Sequence, residues 1–138
     1  MKYMDVTEDQ GKAFYLEFHK KGKIVMLNML KYKSTADYSI DEDLNPGGEV
    51  SGKTAYSLYM KATLPLLSKA GGRVIFFGKS SNFVIGPLDE KWDAILLVEH
   101  ASLEAFMKFA QDPEYLKIVG HRTAALDDSR LLPSTQLG

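Results

Sequence analysis

Six side chains in this sequence are of the right type to hold or transform a ligand. Asn28, Tyr59 and His121 can donate, accept or shuttle protons, and form the candidate catalytic set. Arg73, Trp92 and Arg122 can hold an anion or stack on a ring, and form the candidate substrate-binding set. Asn28 interrupts an apolar run, Lys23 to Tyr32 (KIVMLNMLKY). A buried amide must find partners, so Asn28 is either a satisfied core amide or a donor for a ligand oxygen. His121 could serve as a general base near neutral pH, or could simply complement the C-terminal end of a helix. Arg122 offers a planar fork suited to a carboxylate, although Asp127 and Asp128 stand close by as ordinary partners. Tyr59 lies on an apolar helical stripe. It is either a core tyrosine with one hydrogen bond or a hydroxyl aimed at a substrate carbonyl. Arg73 follows Gly71-Gly72 and reads as a surface charge or a guard at a pocket mouth. Trp92 is a packing anchor or a platform for a ring.

Other chemistries lack their residues. The chain has 0 cysteines, which removes disulfides, thiolate nucleophiles and cysteine–zinc sites. No two histidines stand at metal-ligand spacing on one helix face, so no metal is expected. Gly71-Gly72 precedes a strand rather than a helix and cannot cradle a phosphate as nucleotide loops do. No serine sits in a nucleophile-elbow pattern. Nothing in the sequence requires a cofactor. With 17 basic and 18 acidic residues and a formal charge of −1, the basic groups are scattered. Neither nucleic acid nor an anionic membrane is therefore an expected partner. The segment Met1 to Gln10 lacks the apolar core of a signal peptide, and the longest apolar runs, Ile24 to Leu30 and Ala94 to Val98, are too short to span a bilayer. With the missing cysteines, this fits a cytoplasmic location. At 138 residues the chain is expected to form one domain over its whole length, with residues 1–22 as an N-terminal helical extension.

The elements that must position these residues follow from local patterns. Thr7 and Gln10 form a capping box, and Gly22 a stop, for a helix from Thr7 to Lys21. Lys23 to Tyr32 reads as a strand with apolar residues on both faces. Ser34 to Ser51 is a long loop holding Asp41-Glu42-Asp43 and Pro46-Gly47-Gly48. Lys53 to Lys69 has helical periodicity through Ala55, Leu58, Tyr59, Ala62 and Leu66, with a kink expected at Pro65. Arg73 to Ser80 and Trp92 to His100 are strands, and Phe83 to Ile85 either pairs with the former or forms a short edge piece. Ser102 caps one helix, and Asp112-Pro113-Glu114 opens another that runs to about Ala125. Arg130 to Leu132 is a last short strand.

After the first helix the order is strand, helix, strand, strand, helix, strand. That is the split β-α-β, ferredoxin-like pattern: an α+β domain with a four-stranded antiparallel sheet and helices on one face. Yet the strands are apolar on both sides. A bare apolar sheet face is a liability, and a second copy placed face to face would cover it. The rival is that the first helix and the long loop roof that face within one subunit.

The stretches VMLNMLKY, SGKTAYSLYMKATLPLLSKAGGRVIFFG and WDAILLVEHASLEAFMKFAQDPEYLKIVGHRTAALDDSRLL resemble the domain of unknown function 1330 family. The resemblance runs from about Ile24 to Leu132. Its most specific pieces are Gly71-Gly72-Arg73, Trp92-Asp93, and Asp112-Pro113-Glu114-Tyr115 followed by His121-Arg122. It implies membership of the dimeric α+β barrel superfamily, a ferredoxin-like fold and a face-to-face homodimer. That superfamily includes cofactor-free monooxygenases, haem-degrading monooxygenases and muconolactone-type isomerases, with pockets between sheet and helices. Haem-degrading relatives use a strand asparagine, a tryptophan and a histidine. Asn28 and Trp92 match two of these, and neither His100 nor His121 falls at the third.

Two functions follow as expectations. One is a small-molecule-binding protein acting as a cofactor-independent monooxygenase or isomerase on a small aromatic or carboxylated metabolite. The other is a non-catalytic homodimeric module that binds a metabolite or a partner protein. They part on whether Asn28, Tyr59 and His121 meet in one cavity or lie in separate networks.

Overall fold

Four of the five α-helices begin where a short polar side chain can satisfy an orphan backbone N–H. In this computed structural model, which describes all 138 residues, Thr7, Ser51, Ser102 and Asp112 accept hydrogen bonds from Gln10, Thr54, Ala105 and Glu114. The helices they open are α1 (Glu8–Phe18), α2 (Gly52–Lys69), α3 (Leu103–Ala110) and α4 (Pro113–Ile118). The strands are β1 (Ile24–Tyr32), β2 (Arg73–Lys79), β3 (Ala94–His100) and β4 (Leu126–Ser134), and α5 spans Gly120–Ala125. The sheet is four-stranded and antiparallel in the order β2-β3-β1-β4. This is the expected ferredoxin-like α+β architecture.

Several boundaries differ from the sequence expectation. Helix α1 stops at Phe18, because Lys20 (φ 63°) and Gly22 (φ 82°) both take the left-handed conformation. Helix α2 runs on through Pro65 to Lys69, and its buried stripe is Ala55, Tyr56, Tyr59, Thr63 and Leu67. Leu58, Ala62 and Leu66, expected on that stripe, are only half-buried. The segment expected as one helix from Asp112 to Ala125 is two, meeting at Val119. Strand β4 spans 9 residues rather than three. Phe83 to Ile85 lies in a loop rather than a strand.

Register decides which side chains share a face. Ile24, Met26, Asn28 and Leu30 of β1 alternate with Val25, Leu27 and Met29, the first set buried and the second half-exposed. Strand β3 repeats this, with Ala94, Leu96, Val98 and His100 buried and Ile95, Leu97 and Glu99 half-exposed. The buried set faces the helices. A bulge between Val74 and Phe76 sets β2 in step. It turns Phe77 toward the helices, 6.1 Å from Tyr56, and leaves Phe76 opposite Leu97 on the other side.

All helices lie on one face of the sheet. Phe14 and Phe18 of α1 join Ile24, Met26, Leu103 and Phe106 in a satellite cluster on that side. The segment 33–51 lies on the same side. Its Tyr38 is buried in the main core with Leu30, Tyr56, Phe109 and Ala125, and the Asp37 N–H donates to the Ala124 carbonyl at 2.9 Å. Neither α1 nor the long loop roofs the opposite face. There Leu132, Leu27, Leu97 and Phe76 form a cross-strand row, and Phe76 and Leu132 remain 50% and 57% exposed. The neighbouring row is Arg130, Met29, Ile95 and Gly78, and the row beyond the other edge is Val25, Glu99 and Arg73. The open face is therefore an apolar belt flanked by the ion pairs Arg73–Glu99 (3.1 Å) and Arg130–Asp128 (2.6 Å).

Candidate functional site

The helix side of the sheet carries an unbroken succession of rings. From Tyr32 it passes through Tyr56, Tyr59, Tyr115, Phe109, His100 and Phe106 to Phe14 and Phe18, with centroid separations between 4.7 and 6.1 Å. Sequence puts these rings there for simple reasons. Tyr56 and Tyr59 fall on the sheet-facing stripe of α2, and His100 shares its strand parity with Leu96 and Val98. Tyr115 projects from α4, whose start is fixed by Asp112 and Pro113.

The tyrosine end of this succession is the most polar part of the interior. The Tyr59 and Tyr115 hydroxyls are 2.7 Å apart. Burial pushes the Tyr56 and Tyr115 phenols above their usual range, and the Arg122 guanidinium acts on both in the opposite direction. Arg122 therefore lies within electrostatic reach of these tyrosines. It does not pair with Asp127 or Asp128, because those carboxylates are held by Lys2 (2.6 Å) and Arg130 (2.6 Å). Tyr56 is 1% exposed. Further along, burial pushes His100 down to about 4. His100 Nδ1 and Thr63 Oγ1 are enclosed without a hydrogen-bond partner.

The six candidates fall into different neighbourhoods. Tyr59 and Arg122 belong to the tyrosine cluster. Asn28 sits at the middle of β1 on the helix side, where its amide nitrogen donates to the carbonyls of Met26 (3.4 Å) and Leu96 (3.3 Å). His121 lies with its Nδ1 2.7 Å from the Tyr38 hydroxyl. Burial lowers its pKa, with the Asp41 carboxylate pulling the other way. Arg73 is on the open face, its Nε bonded to Glu99 at 3.1 Å and holding that carboxyl below its usual range. Trp92 is buried ahead of β3, its indole N–H donating to Glu90 at 3.0 Å. The Arg130 guanidinium lies over both the Trp92 ring (5.0 Å) and the Tyr3 ring (4.6 Å). Asn28, Tyr59 and His121 therefore occupy three separate hydrogen-bond networks.

Two surface depressions accompany this interior. A shallow groove of about 400 Å³ runs between α1 and α3 along Lys12, Tyr15, Leu16 and Met107. A cleft of about 200 Å³ opens between Asp37, Asp41, Gly120 and Thr123. At Gly120 a β-carbon would lie 2.6 Å from Asp41 Oδ2 and 2.8 Å from Leu44 Cδ1, so a larger residue there would displace both side-chain ends. No cluster of three or more histidine and acidic side chains is arranged to hold a metal ion. No helix is long and apolar enough to cross a membrane.

Tyr38, Tyr115, Thr63 and His100 were not among the six. Parity along β3 would have placed His100 on the buried face. Tyr38 and Tyr115 gave no local signal, because their partners lie 83 and 56 residues away.

Comparison with known proteins agrees with this architecture. A crystal structure of a protein of unknown function from Rhodopseudomonas palustris matches with a TM-score of 0.87 and 32% identity, over 100% of this chain and 99% of that one. A dabb family protein with a ferredoxin-like fold from Mesorhizobium loti matches at TM-score 0.52 and 18% identity, over 85% and 99% of the two chains. A protein of unknown function from Bacteroides fragilis, described as dimeric with a ferredoxin-like fold, matches at 0.50 and 14%, over 81% and 94%. No curated protein matches the chain. The family model for the domain of unknown function DUF1330 matches residues 48–133, from just before α2 into β4. With that stretch covering more than half of its length, this chain belongs to the DUF1330 family.

Proposed function

We propose that this chain is a homodimeric binding module, in which two copies meet through their open sheet faces and each subunit holds a small carboxylated or aromatic metabolite beside Arg122. The dimer rests on the belt of Leu132, Leu27, Leu97 and Phe76, flanked by Val25, Met29 and Ile95, which nothing in the subunit covers. An uncovered apolar face rimmed by ion pairs is self-complementary in an isologous contact. The similar Bacteroides fragilis protein is described as dimeric, in keeping with this. Sedimentation should give a dimer at micromolar concentration, and Leu97→Asp should give a folded monomer. A wild-type monomer at that concentration would exclude the dimer.

The ligand side rests on Arg122, a half-buried cation within electrostatic reach of the buried tyrosines, whose neighbouring carboxylates Asp127 and Asp128 are held by Lys2 and Arg130. A ligand carboxylate there would take a charge-assisted bond from the fork, and the rings would flank an aromatic body. Titration with a panel of aryl and alkyl carboxylates, followed by calorimetry, tests this. Arg122→Met should abolish binding while the protein stays folded.

An enzymatic alternative, a cofactor-independent monooxygenase or isomerase, draws support from His121, a half-buried imidazole bonded to the Tyr38 hydroxyl, whose pKa burial lowers. Histidine is the side chain most often used for proton abstraction. The separation of Asn28, Tyr59 and His121 weighs against the three acting together. Turnover that disappears in His121→Ala, with the fold intact, would favour the alternative. As a chain without cysteine, the protein is placed in the cytoplasm on this reading.

A further inference from the structure

The loop between β2 and β3 is apolar where a solvated turn would be polar. Val84 is 99% exposed, Ile85 93% and Leu88 89%. The loop is nevertheless built. The Ser80 N–H donates to the Asp93 carbonyl at 2.9 Å, and Lys91 Nζ donates to Asn82 Oδ1 at 2.6 Å, so its base is closed twice. At the tip Phe83 packs so tightly on Gly86 that a β-carbon there would lie 2.7 Å from Phe83 Cγ. A segment already held in one shape loses little freedom on docking. Bare, contiguous aliphatic side chains on such a segment mark a contact surface.

Its place in the fold indicates what it contacts. The loop leaves the sheet after Lys79 and returns at Ala94. The open-face row next to it is Gly78, Ile95 and Met29, so the apolar belt and the apolar loop adjoin. The sheet face alone is small. Four strands spaced by about 4.8 Å give a width of roughly 19 Å. Strands of 7 residues in β2 and β3 and 9 residues in β1 and β4 give a length of about 23–30 Å. The resulting area, on the order of 450–550 Å², falls short of the ~800 Å² per partner of a stable interface.

We infer that Val84, Ile85 and Leu88 form an arm that clasps a second copy of this chain, extending the interface beyond the sheet. By two-fold symmetry each subunit gives an arm and receives one. The arm rests on the homodimer reading and adds to it the residues that complete the contact.

The absence of cysteine allows a clean test. Val84→Cys carrying an environment-sensitive fluorophore should report a shielded, apolar site at micromolar concentration and a wet one on dilution to monomer. The double change Val84→Ser with Ile85→Ser should raise the dimer dissociation constant by about tenfold or more, with the circular dichroism spectrum unchanged. A wild-type dimer whose label is wet at every concentration, and whose affinity survives the double change, would overturn the arm and leave the dimer standing. A wild-type chain that stays monomeric would overturn both.

Discussion

Phe76 folds its ring over Gly78 on the open face of the sheet, so that a β-carbon on Gly78 would lie 2.5 Å from both Cε2 and Cζ. The two share a face because they stand two residues apart in β2, and the bulge before Phe76 sets that face as the open one. The bare glycine lets the ring lie flat and widens the apolar belt. Gly78→Ala should lift the ring away. The expected outcome is a dimer dissociation constant raised several-fold, measured by sedimentation, with the monomer fold preserved in circular dichroism. An unchanged dimer would remove Phe76 from the interface.

Gly52, the first residue of α2, touches backbone rather than side chains. A β-carbon there would meet the Lys33 carbonyl, and would lie 2.5 Å from the Ala125 carbonyl oxygen and 2.7 Å from Lys33 N. The same segment holds it in place, with the Gly52 N–H donating to the Lys33 carbonyl at 3.0 Å. Backbone cannot rotate aside as a side chain can. Gly52→Ala should cost about 2–4 kcal/mol, read from the denaturation midpoint.

His100 is neutral in the folded protein because burial drives its pKa from 6.5 to about 4. The unfolded chain binds a proton near pH 6.5 that the folded chain refuses until about pH 4. Stability from this group is therefore complete above pH 6.5 and lost as the pH falls through that window, by up to about 3 kcal/mol. Urea denaturation between pH 7 and 4 should show the decline, and His100→Phe should flatten it. Carboxylates held low by their partners, such as Glu99 and Asp128, act at lower pH, which separates the two effects.

Asn28 separates structure from function by one substitution. Its two hydrogen bonds, at 3.3 and 3.4 Å, are long, while its neighbours along and across the helix side of the sheet include Met26, Leu30 and Leu96. Asn28→Leu should leave stability unchanged or raise it by about 1 kcal/mol, since both weakly used polar atoms go together. Loss of carboxylate binding in that stable variant would assign Asn28 to the ligand. Retained binding would make it a core amide.

The sequence by itself determined what depends on near neighbours. Two-faced apolarity in β1 and β3 follows from alternation. The starts of α1, α3 and α4 follow from Thr7, Ser102 and Asp112, each of which caps a group within three residues. The element order then leaves few topologies. Tertiary structure decided whatever depends on distant residues. Strand β4 extends through Asp127 and Asp128 because Lys2, Tyr3 and Arg130 satisfy those carboxylates. That pairing leaves Arg122 without either carboxylate. The bulge in β2 divides Phe76 from Phe77, and α1 joins the helix layer instead of the open face. No local pattern encodes these outcomes, because each is a competition between partners that meet only when the chain is folded.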